Sequence, residues 1–248
     1  MLEIRNITSG YNKKTVLDGL SLTLSGGELT SVIGPNGCGK STLLKTLSGL
    51  IPHTNGQILI DGVPLNTLNK KETATKISYL AQEKNCPDMT VEQLVLHGRF
   101  SRLGFPFAYS DTDRVAAEKA MDRLGILPLA ESPLSSLSGG TRQKAYVAMA
   151  LAQDTDYILL DEPAAYLDIS AQLELMRLLK ELAASGKGII AVMHDLPLAF
   201  SFSDRILVMS DGSAAAVGSP EELCSSDTLQ KIFGVSLTCD SQTYKYVY

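Results

Sequence analysis

An α/β fold built on a largely parallel sheet is what the sequence predicts, with a more antiparallel N-terminal portion and an inserted helical subdomain. Three observations carry this expectation. Apolar runs at Leu29–Ile33, 77–81, Tyr157–Asp161 and 188–193 alternate with segments of helical spacing, as do parallel strands covered on both faces. Met1 to Asn6 instead alternates apolar and polar residues, like a strand with one solvated face. Helical spacing at Val91–His97 and 111–124 has no strand between the two segments. At 248 residues the chain fits one large α/β domain over 1–248, or a core of 1–86 and 154–248 with a smaller inserted helical subdomain of 87–153.

Composition narrows the classes of function. The formal net charge of -5, with both signs interspersed, lacks the basic stripe of a nucleic-acid surface. Cys38, Cys86, Cys224 and Cys239 lack the short paired spacing of a metal knuckle or redox motif and read as free thiols of a reducing compartment. The start has no basic-then-apolar leader, so the chain is expected to stay in the cytosol. The longest apolar run, 145–152, falls far short of the roughly 20 residues of a membrane helix, which leaves membrane attachment to a partner.

The strand at Leu29–Ile33 feeds Gly34-Pro35-Asn36-Gly37-Cys38-Gly39-Lys40-Ser41-Thr42, a phosphate-binding P-loop. The helix expected at 41–47 aims its first amides and positive dipole end at the phosphates. Its glycines let the backbone wrap close to an anion, Lys40 adds a charge at the β and γ phosphates, and Ser41 offers a hydroxyl to Mg²⁺. Cys38 fills a small-residue slot. With Lys40 and a helix terminus beside it, its thiol pKa is expected to fall, so alkylation should block ATPase activity and MgATP should protect.

Tyr157–Asp161 ends in a carboxylate where a buried parallel strand emerges at the ligand-binding edge of its sheet, the Walker B pattern. Asp161 is expected to hold Mg²⁺ and Glu162 to polarise the attacking water. His194-Asp195 and Gln82 follow strands that end on the same edge. His194 reads as a γ-phosphate sensor, and the Gln82 amide oxygen could reach Mg²⁺ and the attacking water.

In this order the residues resemble the ATP-binding subunit of an ABC transporter, a P-loop NTPase with a RecA-like core. The resemblance rests on Tyr11, the P-loop, Gln82, the signature Leu137-Ser138-Gly139-Gly140, Walker B, the D-loop Ala165-Tyr166-Leu167-Asp168 and His194, and it covers nearly the whole chain. It implies that Tyr11 packs on the adenine and that two copies pair head to tail, sandwiching two ATP molecules between P-loop and opposing signature. Ser138, Gly139 and Gly140, lying ahead of a helical pattern over 142–153, offer a second phosphate cradle. Asp168 and its neighbours would cross the dimer axis, and residues after Gln82 would pass motion to a permease. The expected docking site for a permease's cytoplasmic helix is a groove between the helical subdomain and the Gln82 loop, beside the aromatic-rich stretch from Phe100 to Tyr109.

The segments Asp161-Glu162-Pro163-Ala164-Ala165-Tyr166-Leu167-Asp168, His97-Gly98-Arg99-Phe100 and 148–153 look like the importers of iron-siderophore complexes, haem and cobalamin. That implies transmembrane permease subunits, a substrate-binding protein acting through them, and a place on the cytoplasmic face of the membrane. Thr141, where the signature commonly continues with glutamine, and Ala164, in place of the usual threonine, depart from the family pattern. A soluble ABC ATPase of iron-sulfur cluster assembly is the alternative reading. The stretch from Pro220 to Tyr248 is expected to pack on the core as a small helix or two with a final strand.

Overall fold

The structure is a computed structural model that describes residues 1–12, 14–82, 86–105, 108–240 and 243–247. In chain order, β1 (Leu2–Tyr11) and β2 (Lys14–Leu24) form an antiparallel pair, β3 (Leu29–Ile33) leads through the P-loop into α1 (Lys40–Leu47), and β4 (His53–Ile60) and β5 (Val63–Pro64) follow. Next come α2 (Lys70–Lys76), β6 (Ile77–Leu80), α3 (Val91–His97), α4 (Asp111–Arg123), α5 (Gly139–Ala152), β7 (Tyr157–Asp161) and α6 (Ile169–Ala184). The chain continues through β8 (Gly188–Val192), α7 (Leu196–Phe202), β9 (Arg205–Ser210), β10 (Ser213–Gly218), α8 (Pro220–Cys224), α9 (Thr228–Phe233), β11 (Ser236–Asp240) and β12 (Thr243–Val247).

Two sheets dominate. The first is antiparallel, in the order β2-β1-β4-β5, and the second runs β10-β9-β3-β8-β7-β6, parallel except at the β10 edge. Every residue of β3, β7 and β8 is buried, which follows from their mainly apolar sequences and central places in the sheet, with Thr30, Ser31 and Asp161 the buried polar exceptions. Leu43, Leu44 and Leu47 of α1 share a core with Leu2 and Ile58 of the first sheet and Val32 and Leu159 of the second, so α1 lies between the sheets. A second core gathers α3 to α7 with the other face of the parallel sheet. This layering holds the P-loop between two apolar cores.

The helices α3, α4 and α5 pack on one another. Gly98, just past α3, makes this possible, since a Cβ there would lie 2.1 Å from the Met149 carbonyl oxygen. Arg99 then donates through Nε to Asp113 at 2.9 Å and through a terminal nitrogen to the Ala152 carbonyl at 2.8 Å, tying the three helices at one point. Gln153 donates to the carbonyls of Ala74 (2.6 Å) and Ile77 (3.2 Å), which joins the end of α5 to the approach to β6.

Two sequence expectations change. The helix after the signature begins at Gly139 rather than at 142, because the Ser138 hydroxyl accepts from the Thr141 amide and caps it there. The C-terminal stretch holds two strands, not one, after its two short helices. Of the aromatic-rich stretch, Phe105 is 93% and Phe100 61% exposed while Tyr109 packs partly against the core; Pro106 and Phe107 lie outside the described residues, as do Glu83, Lys84 and Asn85 after Gln82. Among the described residues no helix is long and apolar enough to cross a membrane.

Candidate nucleotide site

Gly34 opens the P-loop at a point where only glycine fits, because a Cβ would meet the Met209 carbonyl oxygen at 2.4 Å and Cys38 Sγ at 2.7 Å. Gly39 caps α1 in a left-handed conformation, turning the chain so that the helix starts at Lys40. The Lys40 ammonium is buried and donates to the carbonyls of Gly34 (2.7 Å) and Pro35 (3.0 Å), bridging back over its own loop. Asn36, Gly37, Gly39, Lys40, Ser41 and Thr42 line a cleft of about 430 Å³, closed on its other side by Gln82, Glu162 and His194. Four predicted features, the P-loop, Gln82, Glu162 and His194, thus converge from separate parts of the chain. Val16 on β2 also lines it, while Tyr11 stands 41% exposed at the end of β1 and is not among the described residues that form the wall.

Asp161 ends β7 with 1% exposure. Its Oδ1 has no hydrogen-bond partner among the described residues, and its Oδ2 accepts from the Tyr79 hydroxyl at 3.4 Å. Burial raises the carboxyl pKa above the ordinary value and the Glu162 charge adds to this, while the Ser41 hydroxyl, Lys45 and Tyr79 oppose it. A buried carboxylate oxygen left without a partner, beside a serine hydroxyl, is a donor set that fits a hard cation such as Mg²⁺.

Glu162 follows with φ of 53°, a left-handed conformation that costs a non-glycine residue about 1–2 kcal/mol. Its Oε1 lies 2.6 Å from His194 Nε2, so the ring N–H donates to the carboxylate. Sequence reasoning put both residues on one sheet edge but did not foresee this pairing.

The signature faces a different cleft. Ser138, Gly139, Gly140 and Thr141 line a space of about 480 Å³ together with Tyr166 and Asp168. Thr141 Oγ1 is 2.9 Å from Ser138 Oγ, so the unusual threonine pairs with the signature serine. Asp168 caps α6 by accepting from the Ala171 amide, and Tyr166, 82% exposed with φ of 65°, projects from the D-loop. Among the described residues, none is shared between the walls of the signature cleft and the P-loop cleft.

The ABC transporter family model matches residues 17–165. The chain belongs to the ABC transporter family. This ABC cassette is 41% identical over 231 residues to the ferric enterobactin transport ATP-binding protein FepC of Escherichia coli (strain K12), covering 92% of this chain and 85% of that one. It is 39% identical over 250 residues to the petrobactin import ATP-binding protein YclP of Bacillus subtilis (strain 168), covering 98% and 97%. The dimeric structure of MJ0796, a bacterial ABC transporter cassette, matches with a TM-score of 0.79 at 30% identity over 89% of this chain and 99% of that one. A post-hydrolysis state of MJ0796 bound to ADP and Pi matches equally well.

One expectation is overturned. Burial raises the Cys38 thiol pKa, and this outweighs the lowering by Lys40. The thiol is 7% exposed and packed against Gly34. Two residues of the site were missed by sequence reasoning. Tyr79 lies on β6 three positions before Gln82, and Gln143 on α5 is buried and donates from Nε2 to the Pro163 carbonyl at 2.8 Å. A polar residue amid the buried positions of a helix was the available signal for Gln143.

Proposed function

We propose that this chain is the ATP-hydrolysing subunit of a membrane importer for iron-siderophore complexes, working at the cytoplasmic face through permease subunits. The observation that carries the catalytic reading is the Glu162–His194 contact of 2.6 Å in a cleft whose opposite wall is the P-loop. Lys40 and the backbone N–H groups between Gly34 and Thr42, Pro35 having none, bind the phosphates, with Lys40 exchanging its loop carbonyls for phosphate oxygens. Glu162 accepts a proton from the attacking water while His194 orients the carboxylate and meets the γ-phosphate. Ser41, Asp161 and Gln82 would hold Mg²⁺, which when bound neutralises phosphate charge. Tyr11 serves the adenine.

In this reading Ser138, Gly139, Gly140 and Asp168 act on the nucleotide of a second copy, arranged head to tail. The separateness of the two clefts supports a sandwich, because one chain cannot bring both to bear on one nucleotide. Exposed Phe100 and Phe105, with the Gln82 segment, suit a permease's cytoplasmic helix, and the core of 1–86 and 154–248 with the helical 87–153 gives that helix its groove. Relatives named for ferric enterobactin and petrobactin support the siderophore cargo, delivered by a substrate-binding protein, over cluster assembly.

The test is to purify the chain with its permease and binding protein and to measure turnover. Loaded binding protein should stimulate ATPase activity, and Glu162→Gln should bind ATP, turn over about 100-fold slower or less, and accumulate as an ATP-bound dimer. Normal turnover in Glu162→Gln would move the catalytic role elsewhere, and a chain that ignores the permease would overturn import.

A further inference from the structure

Glu162 must be held in a conformation that its side chain disfavours, and the structure shows what touches it there. The Glu162 carbonyl accepts from the Ala165 amide at 3.2 Å within a local turn. A second donor comes from another element altogether, since Gln143 Nε2 reaches the Pro163 carbonyl at 2.8 Å and lies 3.4 Å from the Glu162 carbonyl. Gln143 is 4% exposed, and its side chain springs from the rigid second turn of α5. Loops held in left-handed conformations persist only where the surroundings over-determine them. The amide of Gln143 is such a constraint, applied to the two carbonyls that fix where the Glu162 side chain leaves the backbone.

We propose that Gln143 is a positioning residue for hydrolysis, which holds the peptides of Glu162 and Pro163 so that the carboxylate faces the γ-phosphate. It touches no nucleotide, and its effect passes through Glu162. The helix that carries it is capped by Ser138 of the signature, so this side chain also ties the signature helix to the turn after Glu162. The inference rests on the proposed role of Glu162.

The experiment is a double-mutant cycle on the purified transporter, using Gln143→Leu, which removes the donor, and Gln143→Glu, which keeps the shape but sets carboxylate oxygen against the carbonyls. Each single variant is expected to lower kcat at least tenfold while the KM for ATP and the affinity for a non-hydrolysable ATP analogue stay within twofold. In a Glu162→Gln background the same changes should leave the residual rate within twofold, since the group being positioned is gone. An equal further loss in that background, or a kcat unchanged in the single variants, overturns the proposal. If the leucine variant does not fold, the Gln143→Glu cycle gives the same reading. Normal turnover of Glu162→Gln alone would instead sink the catalytic reading on which the inference stands, and the two failures are thereby told apart.

Discussion

At Cys38 two opposing influences on one thiol can be weighed. Lys40 lowers its pKa, but loss of water around the sulfur raises it more, and Gly34 packs against it so tightly that no added methyl would fit. Alkylation at neutral pH should therefore reach exposed Cys86 and Cys239 first and Cys38 at least tenfold more slowly, with ATPase activity lost only as fast as Cys38 is modified. Peptide mass mapping against time checks this, and early labelling of Cys38 would refute it. Local signals at this scale made Lys40, Ser41, Asp161, Glu162 and His194 legible in the sequence, because each stands at a strand end or helix start whose chemistry is set by its neighbours. Tyr79 and Gln143 were not legible. Their partners, Asp161 and Pro163, are 82 and 20 residues away, and only the folded chain brings them together.

Among the elements, α3, α4 and α5 share an apolar core, and one buried ion pair ties them together at a single point. The Ser110 hydroxyl and amide, and after them Arg99, hold the Asp113 carboxyl at about 2. That lies below the ordinary carboxylate value, so the native state binds fewer protons in acid than the unfolded chain does. Its stabilisation is complete above about pH 4 and is lost as the pH falls from there toward 2. Replacing Asp113 by Asn leaves the Arg99 guanidinium buried without its counter-charge and is expected to cost roughly 3 kcal/mol at pH 7. The deficit should shrink at pH 3, which urea unfolding at the two pH values would reveal. A constant deficit would assign the effect to packing alone. The sequence flagged His97-Gly98-Arg99-Phe100 and Gln153 as subfamily marks. The structure supplies their physical content as a close helix crossing, a buried ion pair and a tie to the carbonyls of Ala74 and of Ile77 at the start of β6. The sequence shows its helical pattern over 142–153, yet the Ser138 cap begins α5 at Gly139.

Across the whole molecule, the C-terminal strands reach back to the catalytic edge. Tyr244 on β12, 3% exposed, meets Phe200 of α7 edge-on with ring centroids 5.4 Å apart, and α7 starts two residues after His194. Tyr244→Ala is expected to cost about 3 kcal/mol of stability and to reduce turnover more than nucleotide affinity. Equal losses in both would mean that the hairpin supports the core without bearing on His194. The sequence revealed the sheet's class but not its strand order, which depends on pairings between residues far apart in the chain.

That order sets a timetable for the newborn chain. β3, which delivers the P-loop, pairs with β8 on one side and β9 on the other, so neither neighbour exists until Gly188 and Arg205 have left the ribosome. At cellular rates of synthesis the strand waits on the order of 10 s, while the β1–β2 pair beside it can already close. Through that interval the nascent chain carries its complete phosphate-binding sequence without the sheet that shapes it. Nucleotide capture is thereby deferred until β9 has followed β8 into the sheet.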